Sequence, residues 1–241
     1  MAQHRLIENK TYNERLFSPG IRGFFHNGRF KWLYNSFKKL NIVSGSVVEI
    51  GCNDGRSLDY LSYTPEKYAG YDADWEGGLD EGKEKYHNKT DYSFSVSLEP
   101  ATFNVANEKF DFSLAMETLE HLPQRYLKEY LQKLAAATTQ YGFYSFPNER
   151  GLLFFLKYYF KKLFITQRER YTTKEVWYAL IGRMDKVERT DTAHKGFDYK
   201  KMIRQLEEHF DIVETTGIPF TALPLWCNFT IGAVVKKKKV K

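Results

Sequence analysis

Val47-Val48-Glu49-Ile50-Gly51-Cys52-Asn53-Asp54-Gly55 is the stretch on which the reading of this 241-residue chain turns. A short apolar run passes into a turn that carries two glycines, and Ser57–Tyr63 then reads as the start of a helix. The pattern is a buried strand running through a loop into a helix. Glycine lets the backbone turn sharply and lets a ligand approach with no Cβ in the way. A helix that begins here offers free N–H groups in its first turn. Enzymes that bind a dinucleotide pyrophosphate use the same geometry with the spacing G-x-G-x-x-G, which is absent. Asp54, inside the loop, would repel a pyrophosphate and suits a zwitterionic amino-acid ligand.

Upstream of this loop, His26–Leu40 places Phe30, Leu33, Phe37 and Leu40 at helical spacing. Downstream, Tyr68–Tyr71 reads as a second strand ending at Asp72, Gly77–Tyr86 as a helix, Tyr92–Val96 as a third strand and Phe110–Met116 as a fourth. Gln124–Ala137 is a helix, Tyr141–Phe146 a fifth strand closed by Pro147-Asn148, and Tyr199–His209 a further helix. Phe210–Thr216 and Asn228–Val235 are two strands with only a proline-containing loop between them. Alternating strands and helices predict an α/β fold, a parallel sheet covered on both faces, with the last two strands as an antiparallel pair. Ligands of such sheets bind at the C-terminal edge of the strands. No repeat or linker divides the sequence, so residues 1–241 are expected to form a single domain. Its parts are an N-terminal cover (1–45), a cofactor-binding core (46–147), a lid insertion (148–197), a C-terminal helix and strand pair (198–236) and a basic tail (237–241).

Glu49, Gly51 and Gly55 match the first motif of class I S-adenosylmethionine-dependent methyltransferases, which this segment resembles. Asn53 stands where that family usually has its middle glycine; Asn tolerates left-handed backbone better than most residues. The resemblance implies a Rossmann-like sandwich, a mostly parallel seven-stranded sheet, an N-terminal helical cover and a helical lid. It implies S-adenosylmethionine as cofactor, held by Glu49, Gly51, Cys52, Asn53, Gly55, Asp72, Ala73, Met116 and Glu117. Asp72 ends the second strand, where an acceptor-only carboxylate suits the two ribose hydroxyls. Asp74 reads as a turn acid, and Trp75 as either an adenine flank or core. At the end of the third strand the choice between Ser97 and Glu99 stays open.

Glu117-Thr-Leu-Glu120-His121 after the fourth strand resembles small-molecule O-methyltransferases, the ubiquinone-pathway type in particular. In a helical turn the three polar side chains project on one side. His121 then serves as general base toward a hydroxyl, its ordinary pKa lying near neutrality. Alternatively Glu117, Glu120 and His121 hold a divalent cation such as Mg²⁺, or the set is structural. His194, from the lid side, is a second candidate base, and Arg22, His26 and Arg29 are expected at the substrate entrance. Thr173 and Asp198 are the candidate helix caps.

Gly151–Phe164 is apolar and aromatic, with Lys157, Lys161 and Lys162, and with Arg168 and Arg170 following. It reads as a lid helix, or as a basic amphipathic helix lying on a membrane surface, which makes a lipid-linked acceptor an option. No run approaches the length needed to cross a bilayer. The net charge of +6 is concentrated in Lys236, Lys237, Lys238, Lys239 and Lys241; without these five the chain has 31 basic and 30 acidic residues. That tail is expected to be solvated. Two cysteines make no disulfide framework and suit a reduced, cytoplasmic compartment, with peripheral contact at the inner membrane surface if 151–164 lies on lipid.

The expected activity is O-methylation of a sugar, glycan or other small hydroxylated metabolite, as in glycan biosynthesis. No nucleic-acid partner is expected, because the position after the fourth strand lacks the Asn-Pro-Pro-aromatic motif of base-amino methyltransferases and the body lacks a basic face. A nucleic-acid methyltransferase is nonetheless the alternative among enzymes. A non-catalytic cofactor-binding module is the alternative outside catalysis, for which Asn53 leaves room.

Overall fold

The computed structural model describes residues 16–75, 77–105, 108–164 and 171–238, and the side chains of Ile21 and residues 161–164 are not among those described. The strands are β1 (Val47–Ile50), β2 (Tyr68–Asp72), β3 (Tyr92–Val96), β4 (Phe110–Met116), β5 (Thr138–Pro147), β6 (Phe210–Ile218) and β7 (Thr230–Lys237). They form one sheet in the order β3-β2-β1-β4-β5-β7-β6. β1 through β5 pair in parallel, and β7 runs antiparallel to both β5 and β6. Six strands therefore share one direction. The strand order reverses between β1 and β4, and the crevice outside their C-terminal ends is where a doubly wound sheet admits a ligand.

Side chains alternate across the sheet with period two, and this divides the core. Val48, Ile50, Ala115 and Tyr144 face α3 (Gln124–Ala137) and α6 (Tyr199–Glu207), which bury Leu127, Leu131, Leu134, Met202 and Leu206 against them. Val47, Phe112, Leu114, Met116 and Phe143 face the other way, toward α1 (Ile21–Lys39) and α2 (Gly78–Lys85). Phe37 of α1 stacks on Phe143 at 4.3 Å between ring centres and meets Phe112 edge-on. Trp32 lies over Gly232 of β7, where a side chain would collide with it. Stacked and edge-on ring pairs add to the area they bury.

The connection after β1 differs from expectation. Instead of a helix over Ser57–Tyr63 there is a 3-10 turn, Arg56–Tyr60. Phe30 of α1 stacks on Tyr60 at 5.1 Å, so the N-terminal helix fills the face that a longer helix would need. At the start of the 3-10 turn the Arg56 N–H donates to the Asp54 carboxylate and the Leu58 N–H to the Gly55 carbonyl, so these two groups of the expected row are taken up within the protein.

The insertion forms α4 (Gly151–Phe164) and α5 (Thr173–Leu180). Phe154 and Tyr158 pack with Val176, Ala179, Met184 and Val187 in a separate small core. Leu152, Leu156 and Phe160 face outward. Among the described residues no helix is long and apolar enough to cross a membrane. The cap of α5 is Thr172, not Thr173: its hydroxyl accepts from the Glu175 N–H while Glu175 returns a bond to the Thr172 N–H. Asp198 caps α6 as expected. The side chains of Lys161 and Lys162, with Arg168, Arg170, Lys239 and Lys241, lie outside the described residues. Lys237 and Lys238 are not free tail lysines. Their ammonium groups donate to the carbonyls of Ala135 and Glu207, at the last turns of α3 and α6, where cations are favoured.

Candidate active site

The loop after β1 is a run of left-handed residues: Gly51 at φ 75°, Asn53 at φ 47° and Gly55 at φ 73°. Asn53 thus adopts the conformation that a glycine would take there. The Gly51 and Cys52 N–H groups donate to the Tyr71 carbonyl, and the Gly55 N–H to the Cys52 carbonyl. The bare Cα of Gly51 makes room for Thr118 of the same protein; a Cβ would overlap that side chain. Gly55 is enclosed by Phe94 and Tyr86. Glu49 is fully buried beneath the loop and accepts from the hydroxyls of Ser57 and, at 2.7 Å, Tyr68. Burial pushes its carboxyl up to about 7, against the pull of those two donors.

Asp72 closes β2. One carboxylate oxygen accepts from the Asn53 N–H at 3.0 Å and the other from the Asp74 N–H at 2.8 Å. Two backbone donors fix its orientation and leave about two of its four acceptor positions free. Burial raises its pKa in spite of these donors. Asp74 behaves as a turn acid, accepting from the Leu79 N–H. At the end of β3, Ser97 faces inward and lies 3.0 Å from the Tyr130 hydroxyl, while Glu99 caps the turn Pro100–Thr102.

Most of these residues line a cavity of about 480 Å³ at the C-terminal edge of the sheet. It takes in Glu49, Gly51, Cys52, Asn53, Asp72, Ala73, Met116, Glu117 and His121 from the expected set, and leaves out Gly55, Glu120 and His194. Trp75, 62% exposed, stands on its rim together with Leu98. The size suits a nucleoside joined to an amino acid. A free acceptor edge on Asp72, a glycine-turn floor and an amphipathic wall fit S-adenosylmethionine. The site also contains residues that spacing alone did not single out: Phe17, Arg56, Thr118, Tyr130 and Thr192.

Arg29 is not at the surface. It is buried, and its guanidinium donates to Glu117 across the cavity wall. Glu117 follows β4 at φ 56°, and its other oxygen accepts from Thr230 of β7 at 2.6 Å. His26 approaches the same carboxylate at 4.0 Å, and Arg22 is exposed. Burial opposes the charge on Glu117, but Arg29 and the neighbouring donors hold its carboxyl down at about 2.

The left-handed backbone at Glu117 breaks the expected one-sided turn. Glu120 and His121 lie in a 3-10 turn, Leu119–His121, and the group they join contains His194 in place of Glu117. One ligand atom from each of Glu120, His121 and His194 falls within 4.8 Å of the others. His121 Nδ1 donates to the Thr192 carbonyl at 2.9 Å, since a carbonyl only accepts, and its Nε2 lies 3.2 Å from His194 Nε2. His194 Nδ1 faces Glu149 at 3.8 Å, and Lys157 of α4 donates to the same Glu149. Burial lowers the His121 pKa; Glu149 raises that of His194 in spite of burial. Glu120 is fully buried, neither of its oxygens has a hydrogen-bond partner, and burial pushes it up to about 8. One carboxylate and two imidazoles form a donor set suited to a divalent cation.

The sheet order, the reversed C-terminal strand and the cavity beside β1 and β4 define the class I S-adenosylmethionine-dependent methyltransferase fold. A family model described as a methyltransferase domain matches residues 27–162, more than half of the chain, and the chain belongs to that family. Among solved structures it is similar to the methyltransferase domain of a bacterial Hen1 protein, with 16% identity, 88% of this chain and 99% of that chain covered, and a TM-score of 0.57. The N-methyltransferase NodS of Bradyrhizobium japonicum gives 12% identity, 89% and 97% coverage and a TM-score of 0.56. Magnesium protoporphyrin IX methyltransferase of Synechocystis, solved with bound SAH, gives 14%, 93% and 92%, and 0.54. No curated protein matches the sequence.

Proposed function

We propose that the protein transfers the methyl group of S-adenosylmethionine to a hydroxyl oxygen of a small acceptor, a sugar or glycan in the first instance. The observation that carries this reading is the imidazole pair formed by His121, which lines the cavity after β4, and His194, which is outside the lining. When bound, S-adenosylmethionine supplies a methyl group that is already strongly electrophilic. The chain must align the acceptor and take its proton. Both imidazoles are held by their Nδ1 sides, on Thr192 and toward Glu149, so both Nε2 atoms turn to one point. The 3.2 Å contact is an N–H···N hydrogen bond in which one Nε2 donates and the other accepts. A further proton, taken from the acceptor, makes the pair cationic, and Glu149 balances the charge that forms. Asp72 holds the ribose, and the loop 51–55 carries the amino-acid end.

The bare oxygens of Glu120 favour a second reading of the same point, in which Glu120, His121 and His194 hold a divalent cation that acidifies the acceptor hydroxyl. Calorimetry with S-adenosylmethionine, then label transfer from methyl-labelled cofactor to a panel of nucleotide sugars and oligosaccharides, tests the proposal. Transfer to a hydroxyl that is lost in His121→Ala with cofactor binding retained supports it. Label appearing only on nucleic acid or on amines, or full transfer by His121→Ala, would sink it. Repeating the assay with a chelator and then with Mg²⁺ or Mn²⁺ separates the two readings.

A further inference from the structure

Leu152 and Leu156 stand one turn apart on the outward side of α4, whose inward side gives Phe154 and Tyr158 to the small lid core. Trp226, in the turn Leu225–Cys227, lies beside Gly151 at the start of that helix. Leu223 and Phe220 continue the surface along the same loop, and Phe24 of α1 lies 6.3 Å from Phe220 between ring centres. These six side chains are 40% to 55% exposed. Single apolar residues at a surface are ordinary, but a group drawn from three segments marks an interaction face.

Two features decide what the face meets. The loop 219–227 has no charged residue, and much of its backbone is hydrogen-bonded within the protein. Asn228, fully buried, accepts from the Phe220 N–H at 2.9 Å and donates to the Phe220 and Pro224 carbonyls. Asn148 donates to the Leu225 carbonyl, the Leu223 N–H to that of Phe220 and the Cys227 N–H to that of Pro224. Pro219 and Pro224 have no N–H to satisfy. A loop held in this way enters an apolar medium at little cost in bare polar groups. The second feature is charge. Residues 21–31, 151–170 and 219–229 hold eight Lys and Arg and one acid, Glu169, in a chain with 30 acids. Arg29 and Lys157 are matched by Glu117 and Glu149, while Arg22 and Lys31 are exposed. An apolar face on segments this poor in acids is complementary to an anionic lipid surface, where Trp226 suits the headgroup level. A second copy of the chain would bring the same basic charge to the contact.

We propose that the face formed by α4, the loop 219–227 and the first turn of α1 docks on an anionic phospholipid surface, with Leu152, Leu156 and Trp226 entering between the headgroups. β5 ends and β7 begins at the edge that carries the cavity, so docking brings the mouth close to the lipid. The docking is independent of which acceptor the cavity takes.

Flotation of the full chain with vesicles of phosphatidylcholine, and with vesicles that also contain phosphatidylglycerol, tests the proposal. Recovery is expected with the anionic vesicles and little with the neutral ones, falling as salt is raised from about 0.1 M to about 1 M. Leu152→Gln with Leu156→Gln on the helix, and Leu223→Ser with Trp226→Ser on the loop, are each expected to lower partitioning by about tenfold or more, since binding scales with the apolar area inserted. Val213→Gln, at an exposed apolar position of β6, should leave it within about twofold. Thermal melts accompany the flotation, and the helix and loop variants each carry the test should the other fold poorly. Equal recovery with both kinds of vesicle, no recovery with either, or unchanged partitioning in the substituted proteins overturns the proposal. So does a wild-type dimer in sedimentation velocity that the helix variant dissolves, which would give the face to a second copy.

Discussion

His121 and His194 meet Nε2 to Nε2 at 3.2 Å, although 73 residues separate them in the sequence. One comes from the turn after β4 and the other from the loop before α6, so the insertion supplies half of the pair. His121→Ala and His194→Ala are each expected to lower methyl transfer by about 10²- to 10⁴-fold, the usual worth of a positioned acid–base group. The double variant should be little worse than either single, because the two act as one unit. Initial rates with matched cofactor saturation check this. Fully additive losses would show that the histidines act separately.

Asp72→Asn replaces an acceptor-only group with one that also donates. The backbone bonds from Asn53 and Asp74 can persist on the amide oxygen only in part. Cofactor affinity should fall by roughly 10- to 100-fold, equivalent to about 1.4–2.8 kcal/mol. Titration with S-adenosylhomocysteine reads it directly; unchanged affinity would remove Asp72 from the site.

Arg29→Met leaves the Glu117 carboxylate buried without its main counter-charge. Breaking a buried pair in this way costs about 3–5 kcal/mol. Joining it with Glu117→Gln should return much of that loss, since no bare charge remains. Urea denaturation of the two singles and the double closes the cycle. If the double equals the sum of the singles, Arg29 and Glu117 are not coupled.

Glu49 has its carboxyl raised from 4.5 to about 7 by burial. The folded protein therefore holds this proton more tightly than the unfolded chain does. Its contribution to stability is present below about pH 4.5 and is lost as pH rises through about 7. The change is on the order of 3 kcal/mol. Glu49→Gln keeps a neutral group at the position, so the stability difference between wild type and variant should shift across that window in favour of the variant. Denaturation curves at pH 5 and pH 8 give the difference; no shift would mean that Glu49 is ionised throughout.

The strands and the cofactor edge were legible because they depend on local pattern. Buried runs such as Val47–Ile50 and Phe110–Met116 declare themselves by apolar length, and Asn53 declares its left-handed turn by residue type. What failed depends on contacts between distant segments. The segment after β1 forms a 3-10 turn where a helix was expected, and Phe30 of α1 stacks on its Tyr60, a contact that no local pattern in residues 57–63 contains. Glu117 left the cluster because Arg29 and Thr230 draw it toward α1 and β7, and no spacing rule within residues 117–121 contains that information. Arg29 was expected at the substrate entrance and does line the cavity, but its charge says nothing of its pairing with the Glu117 carboxylate. Arg56 carried no signal beyond following a glycine.

The reversal of β7 has a practical side. A strand laid against its neighbours' direction begins at the edge where they end, so Thr230 reaches Glu117 while Lys236 pairs with Tyr141 at the far end of the sheet. The chain thus leaves its last strand on the side away from the catalytic mouth. A surface tether, fluorophore or fusion partner joined after Lys238 would point the mouth outward into solution, leaving large acceptors free to approach it.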